Sequence, residues 1–237
     1  MKVTFTEHLV ELRRRVVSIL VLYVLIAVLS YPLSKPLLAM AKSDLLGNMQ
    51  LVIIEPQEAV VAYINVSLFL SLMLSMPAIA YHLWAFLSPG LIERERRMML
   101  YLVLPSTALF AFGAAFGYKV LLPIAFRVLI GEAVPLATPM ISLASFISFV
   151  AVVLAALGIL FQMPLATYAL TRLGVVNPKL LSAYRKHMIV LILLVAGMIT
   201  PDPSPIPQLI LALPMVLLYE AGIITSKLAG GSDARKR

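Results

Sequence analysis

The residues of this chain best suited to chemistry are carboxylates set among guanidiniums. Glu7 and Glu11 stand just ahead of Arg13, Arg14 and Arg15, and Glu93 and Glu95 alternate with Arg94, Arg96 and Arg97. A carboxylate accepts two parallel hydrogen bonds from a guanidinium, so these groups suit the recognition of arginine better than bond making. Glu11 has Arg14 and Arg15 at i+3 and i+4, and a local helix pair worth about 0.2–0.5 kcal/mol fits that spacing as well as a ligand site does. Glu93 has Arg96 and Arg97 in the same relation. Glu95 is followed there by Met98 and Met99, which leaves it for a basic partner from elsewhere. Gln162 is the most conspicuous polar group inside an apolar run.

Nothing in the sequence supports covalent catalysis. His8, His82 and His187 are isolated, no HExxH or GxSxG pattern accompanies them, and there is no cysteine. Metal and triad sites need such groups in combination. The expectation is a protein that is not an enzyme and holds no metal or cofactor.

The elements that must position these groups are membrane helices. The 237 residues are 62% hydrophobic and 13% charged, with a mean hydropathy of +1.01. A bilayer core of about 30 Å takes about 20 apolar residues per helix. The apolar runs are continuous and do not alternate, which excludes an outer-membrane barrel. The chain therefore reads as an all-α integral membrane protein, one polytopic domain over residues 1–237, with six transmembrane helices at about 16–34, 59–86, 97–122, 141–170, 187–200 and 207–224. The net charge of +8 sits between the apolar runs, so it points to membrane orientation and not to nucleic acid.

Residues 1–15 read as a cytoplasmic amphipathic helix on the membrane surface, turning into the first span. Phe5, Leu9, Leu12 and Val16 fall at helical spacing, and Thr4 with Glu7 forms a capping box. Ala39-Met40-Ala41 mimics a signal-peptide cleavage site, but Pro32, Lys35 and Pro36 separate it from the apolar run, so 16–34 is kept as a span. Those prolines should close span 1 and open a partly apolar folded loop over 37–58. Pro77 should kink span 2, and Tyr81, Trp84 and Phe86 should form an interfacial aromatic belt. Pro123 should end span 3, placing Arg127, Gly131 and Glu132 in a loop. Gln162 and Pro164 interrupt the long span 4. Spans 5 and 6 look short enough to thin the bilayer locally, and 226–237 reads as a flexible basic tail. Counted over alternate segments, 15 of the 19 Lys and Arg fall on the side of both termini, which the positive-inside rule makes cytoplasmic.

Several motifs together resemble one family. Glu7-His8-Leu9-x-Glu11-Leu12-Arg13-x-Arg15, Trp84-x-Phe86-x-x-Pro89-Gly90-Leu91 with Glu95, and Phe161-Gln162-Met163-Pro164 are similar to the TatC family. So are Arg185-Lys186, Thr200-Pro201-Asp202, Leu211-Ala212-Leu213-Pro214 and Leu218-Tyr219-Glu220. That family is the receptor core of the twin-arginine translocase, which exports folded proteins using the proton-motive force. The resemblance implies a cupped six-span bundle in the cytoplasmic membrane with both termini cytoplasmic. It implies that Glu11 and Glu95 bind the arginine pair of twin-arginine signal peptides, and that single-span TatA/TatB-type subunits join an oligomeric complex. The family often has Glu where Gln162 stands, so a titrating carboxyl is absent at that position. Gln162 offers either a polar contact to a partner helix or an amide that satisfies the kink beside Pro164. In the first outer loop Pro56-x-Glu58 fits the family, while Val61 replaces an expected aromatic.

Two other classes predict different patterns. A small-solute transporter should bring polar groups together near the midplane, where only Gln162 approaches the description. An intramembrane hydrolase needs a nucleophile and base at depth, where this chain has no histidine.

Overall fold

The computed structural model describes residues 5–87, 101–133, 140–199 and 205–231. The apolar runs form helices because hydrocarbon offers no water to satisfy backbone N–H and C=O groups. Five helical stretches among the described residues are long and apolar enough to cross a bilayer: Leu9–Leu46, Glu58–Phe86, Val103–Gly131, Leu143–Arg172 and Pro205–Gly230.

The first stretch begins with α1 (Phe5–Ser30), passes through a 3₁₀ turn at Tyr31–Leu33, and continues as α2 (Ser34–Leu46). The amphipathic start and the first span are thus one helix, with no turn between them. The loop expected from residue 37 is helical as far as Leu46. Pro32 and Pro36 each lie in the first turn of a new helical segment, where a missing N–H removes no intrahelical bond. The chain leaves the helix at Gly47, whose φ of +59° suits glycine. Thr4 of the capping box lies outside the described residues.

Helix α3 (Glu58–Leu87) runs through Pro77 and packs antiparallel to α1. Ser71 donates to the carbonyl of Tyr23 and Ser67 to that of Ala27, while the Tyr23 hydroxyl donates to the Leu68 carbonyl at 3.1 Å. Ser67, Ser71 and Ser75 recur every four residues and are all buried. Small hydroxylated side chains at that spacing let two backbones approach and hydrogen-bond.

Helix α4 (Val103–Phe116) passes through a π-helical turn at Gly117–Leu121 into α5 (Leu122–Ala133). Pro123 does not end the span, and Arg127 and Gly131, expected in a loop, are helical. The wider turn just ahead of Pro123 realigns the carbonyls that the proline cannot serve, so the helix resumes. Helix α6 (Leu143–Leu160) lies against α4 at very close range. A Cβ built on Gly113 would stand 2.8 Å from the Leu157 carbonyl oxygen, and one on Gly158 would stand 2.6 Å from the Phe110 ring.

Away from the chain termini, β1 (Leu51–Val52) pairs in parallel with β2 (Ile141–Ser142), Leu51 opposite Ile141. This brings the start of α3 to the start of α6. Glu58, only 7% exposed, accepts from the Ser142 hydroxyl at 3.0 Å and from the Ala144 N–H at 3.5 Å, close to where α6 leaves N–H groups unpaired. Glu58→Ala should leave these partly buried donors without their acceptor and lower stability by about 1–2 kcal/mol. Thermal unfolding in detergent would show it, with Glu58→Gln keeping part of the loss at bay.

The chain continues through α7 (Met163–Arg172), α8 (Pro178–Ala183), α9 (Arg185–Ile199) and α10 (Pro205–Gly231). Helices α7 and α10 run parallel and share a ladder of hydroxyls. Thr167 donates to the Gly222 carbonyl at 2.9 Å, Thr225 to the Pro164 carbonyl at 2.7 Å, and Thr171 meets Ser226 at 2.6 Å. The ladder explains two corrections. Span 6 is not short, since α10 has 27 residues, and residues 226–231 are helical and not part of a flexible tail. Helix α9, with 15 residues or about 22 Å, is the short element, so the thinning expected around two helices is left to one.

Candidate functional site

Helix α1 carries Glu11 in its first turns because the polar run Glu7–Arg15 precedes the apolar one without a helix breaker. Glu11 Oε1 accepts from Arg15 Nε at 2.9 Å and from Arg15 Nη2 at 2.5 Å. The side chains are 32% and 23% exposed respectively, so water screens the pair and it contributes under about 1 kcal/mol. Of the two local partners open in the sequence, the helix uses Arg15 and not Arg14. Both donors converge on one oxygen, and Glu11 Oε2 has no partner among the described residues. Leu9, Leu12 and Val16 beside it are exposed, as an apolar face at a membrane surface requires. Glu95, together with Glu93, Arg94, Arg96 and Arg97, lies outside the described residues.

The flanking helices do have defined ends. Because α1 and α3 are antiparallel, Leu87 at the end of α3 lies toward the same end of the bundle as Glu11. The start of α4 lies there too, since Trp84 near the end of α3 donates its indole N–H to Ser106 Oγ at 2.9 Å. Trp84 is 4% exposed and Ser106 1% exposed. Trp84 is therefore a core residue and does not belong to the aromatic belt expected of it, because its N–H finds a buried partner there that lipid could not supply. Tyr81, by contrast, is 49% exposed.

Ser106 also receives Gln162. Between α6 and α7 the Gln162 N–H bonds to the Ile159 carbonyl rather than to Gly158. The Gln162 side chain donates from Nε2 to the Ser106 carbonyl at 2.9 Å and, weakly, to the Gly158 carbonyl at 3.5 Å. The amide thus serves the break beside Pro164, which is one of its two expected uses, and it ties that break to α4. Gln162→Leu should cost about 0.5–1.5 kcal/mol by removing the hydrogen bond that ties this break to the Ser106 carbonyl. A variant with unchanged unfolding and unchanged co-purification of partner subunits would deny Gln162 both roles.

At the same end of the molecule, Arg185 at the start of α9 pairs with Glu220 of α10 at 2.9 Å. Sequence reasoning had marked both residues without foreseeing that they meet. It missed Ser106, Thr167 and Thr171 altogether. The four-residue spacing of Ser67, Ser71 and Ser75, and of Thr167 and Thr171, was the available signal.

Fold and site together define a multi-pass helical membrane protein with an acidic residue presented among arginines where its first helix begins. Residues 7–214 match the model of the Sec-independent protein translocase protein TatC. The chain is 35% identical over 229 residues to the TatC protein of Aquifex aeolicus, covering 94% of this chain and 95% of that one. It is 33% identical over 228 residues to the TatC protein of Deinococcus radiodurans, covering 93% and 84%. A crystal structure of the twin arginine translocase receptor TatC superposes with a TM-score of 0.85 at 35% identity, over 94% of this chain and 99% of that chain. The chain belongs to the TatC family and is a component of the Sec-independent, twin-arginine protein translocase.

Proposed function

We propose that this chain is the receptor of the translocase for twin-arginine signal peptides, with Glu11 and Glu95 each taking one arginine at the cytoplasmic face. The observation that carries this reading is the Glu11–Arg15 geometry. In the free chain the Glu11 carboxylate already holds a guanidinium, through one oxygen, in a pair weak enough to exchange. The solved relative described as a receptor supports the assignment. The apolar part of the signal peptide lies along the bundle, and single-span TatA/TatB-type subunits assemble around it in an oligomer. Gln162 Oε1 is the acceptor we assign to a partner helix. Translocation of folded substrates then draws on the proton-motive force.

We place the chain in the cytoplasmic membrane with six spans and both termini cytoplasmic. Parallel α7 and α10 support this: α10 must start from the opposite side to the end of α7, and α9 is the helix that makes the return. At 15 residues it crosses only if the bilayer thins locally or other chains line it.

The test is binding of a fluorescent signal peptide to the purified full chain. Arg-Arg peptide should bind well above its Lys-Lys counterpart, because an ammonium cannot form the paired hydrogen bonds of a guanidinium. Equal binding of the two peptides would overturn the receptor assignment.

A further inference from the structure

The ends of α7, α8 and α10 enclose a cleft of about 940 Å³ lined by Thr171, Asn177, Lys179, Ser182, Lys227 and Gly230, among others. Among the described residues no carboxylate lines it. Lys179 projects from α8 and Lys227 from α10, and neither has an acidic partner among the described residues. Ser182 Oγ is buried without a hydrogen-bond partner among the described residues, whereas the Thr171 hydroxyl is already used by Thr167 and Ser226. The cleft thus offers two ammonium groups and a spare hydroxyl donor, which is the chemistry of a phosphate site. It lies where Leu143–Arg172 and Pro205–Gly230, both long and apolar enough to cross a membrane, come to an end. Val176, Pro178 and Ala183 also line it, and they supply apolar surface that an acyl chain needs and a soluble anion does not.

We propose that this cleft binds the phosphate headgroup of an anionic membrane lipid. Lys179 and Lys227 neutralise the phosphate, Ser182 donates to one of its oxygens, and the acyl chains leave along the apolar lining of Val176, Pro178 and Ala183. A basic pocket between helix ends on the cytoplasmic side is where such headgroups are held. The proposal is independent of the signal-peptide assignment.

Native mass spectrometry of the full chain, purified from vesicles of phosphatidylglycerol and phosphatidylcholine, tests it. Wild type should retain phosphatidylglycerol in preference to phosphatidylcholine. The double variant Lys179→Gln/Lys227→Gln should lower that retention about 30-fold, at about fivefold per lysine. Ser182→Ala should reduce it severalfold. Lys179→Arg/Lys227→Arg should preserve it, which separates loss of charge from loss of fold, and Lys42→Gln in α2 should leave it unchanged. Undiminished phosphatidylglycerol in the double Gln variant, or equal retention of phosphatidylcholine, would overturn the proposal. Displacement of the lipid by inorganic phosphate at equal concentration would also overturn it, by showing a soluble-anion site.

Discussion

Glu11→Ala should weaken binding of an Arg-Arg signal peptide by about tenfold to a hundredfold and leave the thermal midpoint of the chain almost unchanged. A charge-assisted hydrogen bond contributes about 1.5–3 kcal/mol when it is formed away from bulk water, and each 1.4 kcal/mol is about tenfold in affinity. Stability is insensitive because the partner of Glu11 among the described residues is Arg15, in a partly exposed i+4 pair worth about 0.2–0.5 kcal/mol. Glu95→Ala should lower affinity by a similar factor if both carboxylates take one arginine each. Arg15→Ala gives the opposite sign: removing a guanidinium that competes for Glu11 should leave affinity unchanged or raise it up to about twofold. Fluorescence titration of the four proteins, beside their unfolding curves, decides the matter. If Arg15→Ala weakened binding as much as Glu11→Ala, Arg15 would be orienting the carboxylate and not competing for it. A large fall in midpoint on Glu11→Ala would assign Glu11 to folding.

Gly158→Leu should be the most damaging single substitution inside the bundle. A Cβ at that position already meets the Phe110 ring at 2.6 Å, and Phe110 is 1% exposed, with no space to retreat. Gly113 faces the same contact from α4, where a Cβ would meet the backbone oxygen of Leu157. Overpacking a well-filled interior costs about 1–3 kcal/mol, and separating α4 from α6 also strains the Gln162–Ser106 bond beside them. The expected result is a loss of about 3 kcal/mol or failure to accumulate as a monodisperse protein. Gly131→Ala is the control, since nothing lies within 4 Å of its added Cβ. It should leave stability unchanged or slightly raised, as alanine is the better helix former. An unfolding midpoint for Gly158→Leu within a degree of wild type would mean that α4 and α6 are not packed this closely.

Much of this architecture is legible in the residues alone. Hydropathy located the apolar stretches now seen as α1, α3, α4, α6 and α10, because a bilayer requires an uninterrupted run about 20 residues long wherever a helix crosses it. The order of motifs pointed to the family and, through that resemblance, to Glu11, while helical spacing by itself accounts for the local pairing of Glu11 with Arg15 at i+4. The prolines were misread. Pro32, Pro36 and Pro123 look like terminators in sequence, yet what a proline does depends on whether it falls in a first turn or after a π-helical one, and that is fixed by the turn it lands in.

Side-chain burial was the least legible feature. In a water-soluble helix the polar face declares which side is buried, but in α3 or α6 both lipid and protein are apolar, and the periodic signal disappears. The sequence by itself determined the class of protein, the membrane stretches, the family and the acidic residues among arginines. Only the tertiary structure decided that Trp84 turns inward to Ser106, that Glu58 caps a distant helix, that Gln162 serves the break beside Pro164, and that Thr167 and Thr171 extend α10 past its expected end. Each of those outcomes is a hydrogen bond between residues more than 20 positions apart in the chain. A polar group shielded from water takes whichever partner the packing of helices brings to it, and local sequence carries no record of that choice.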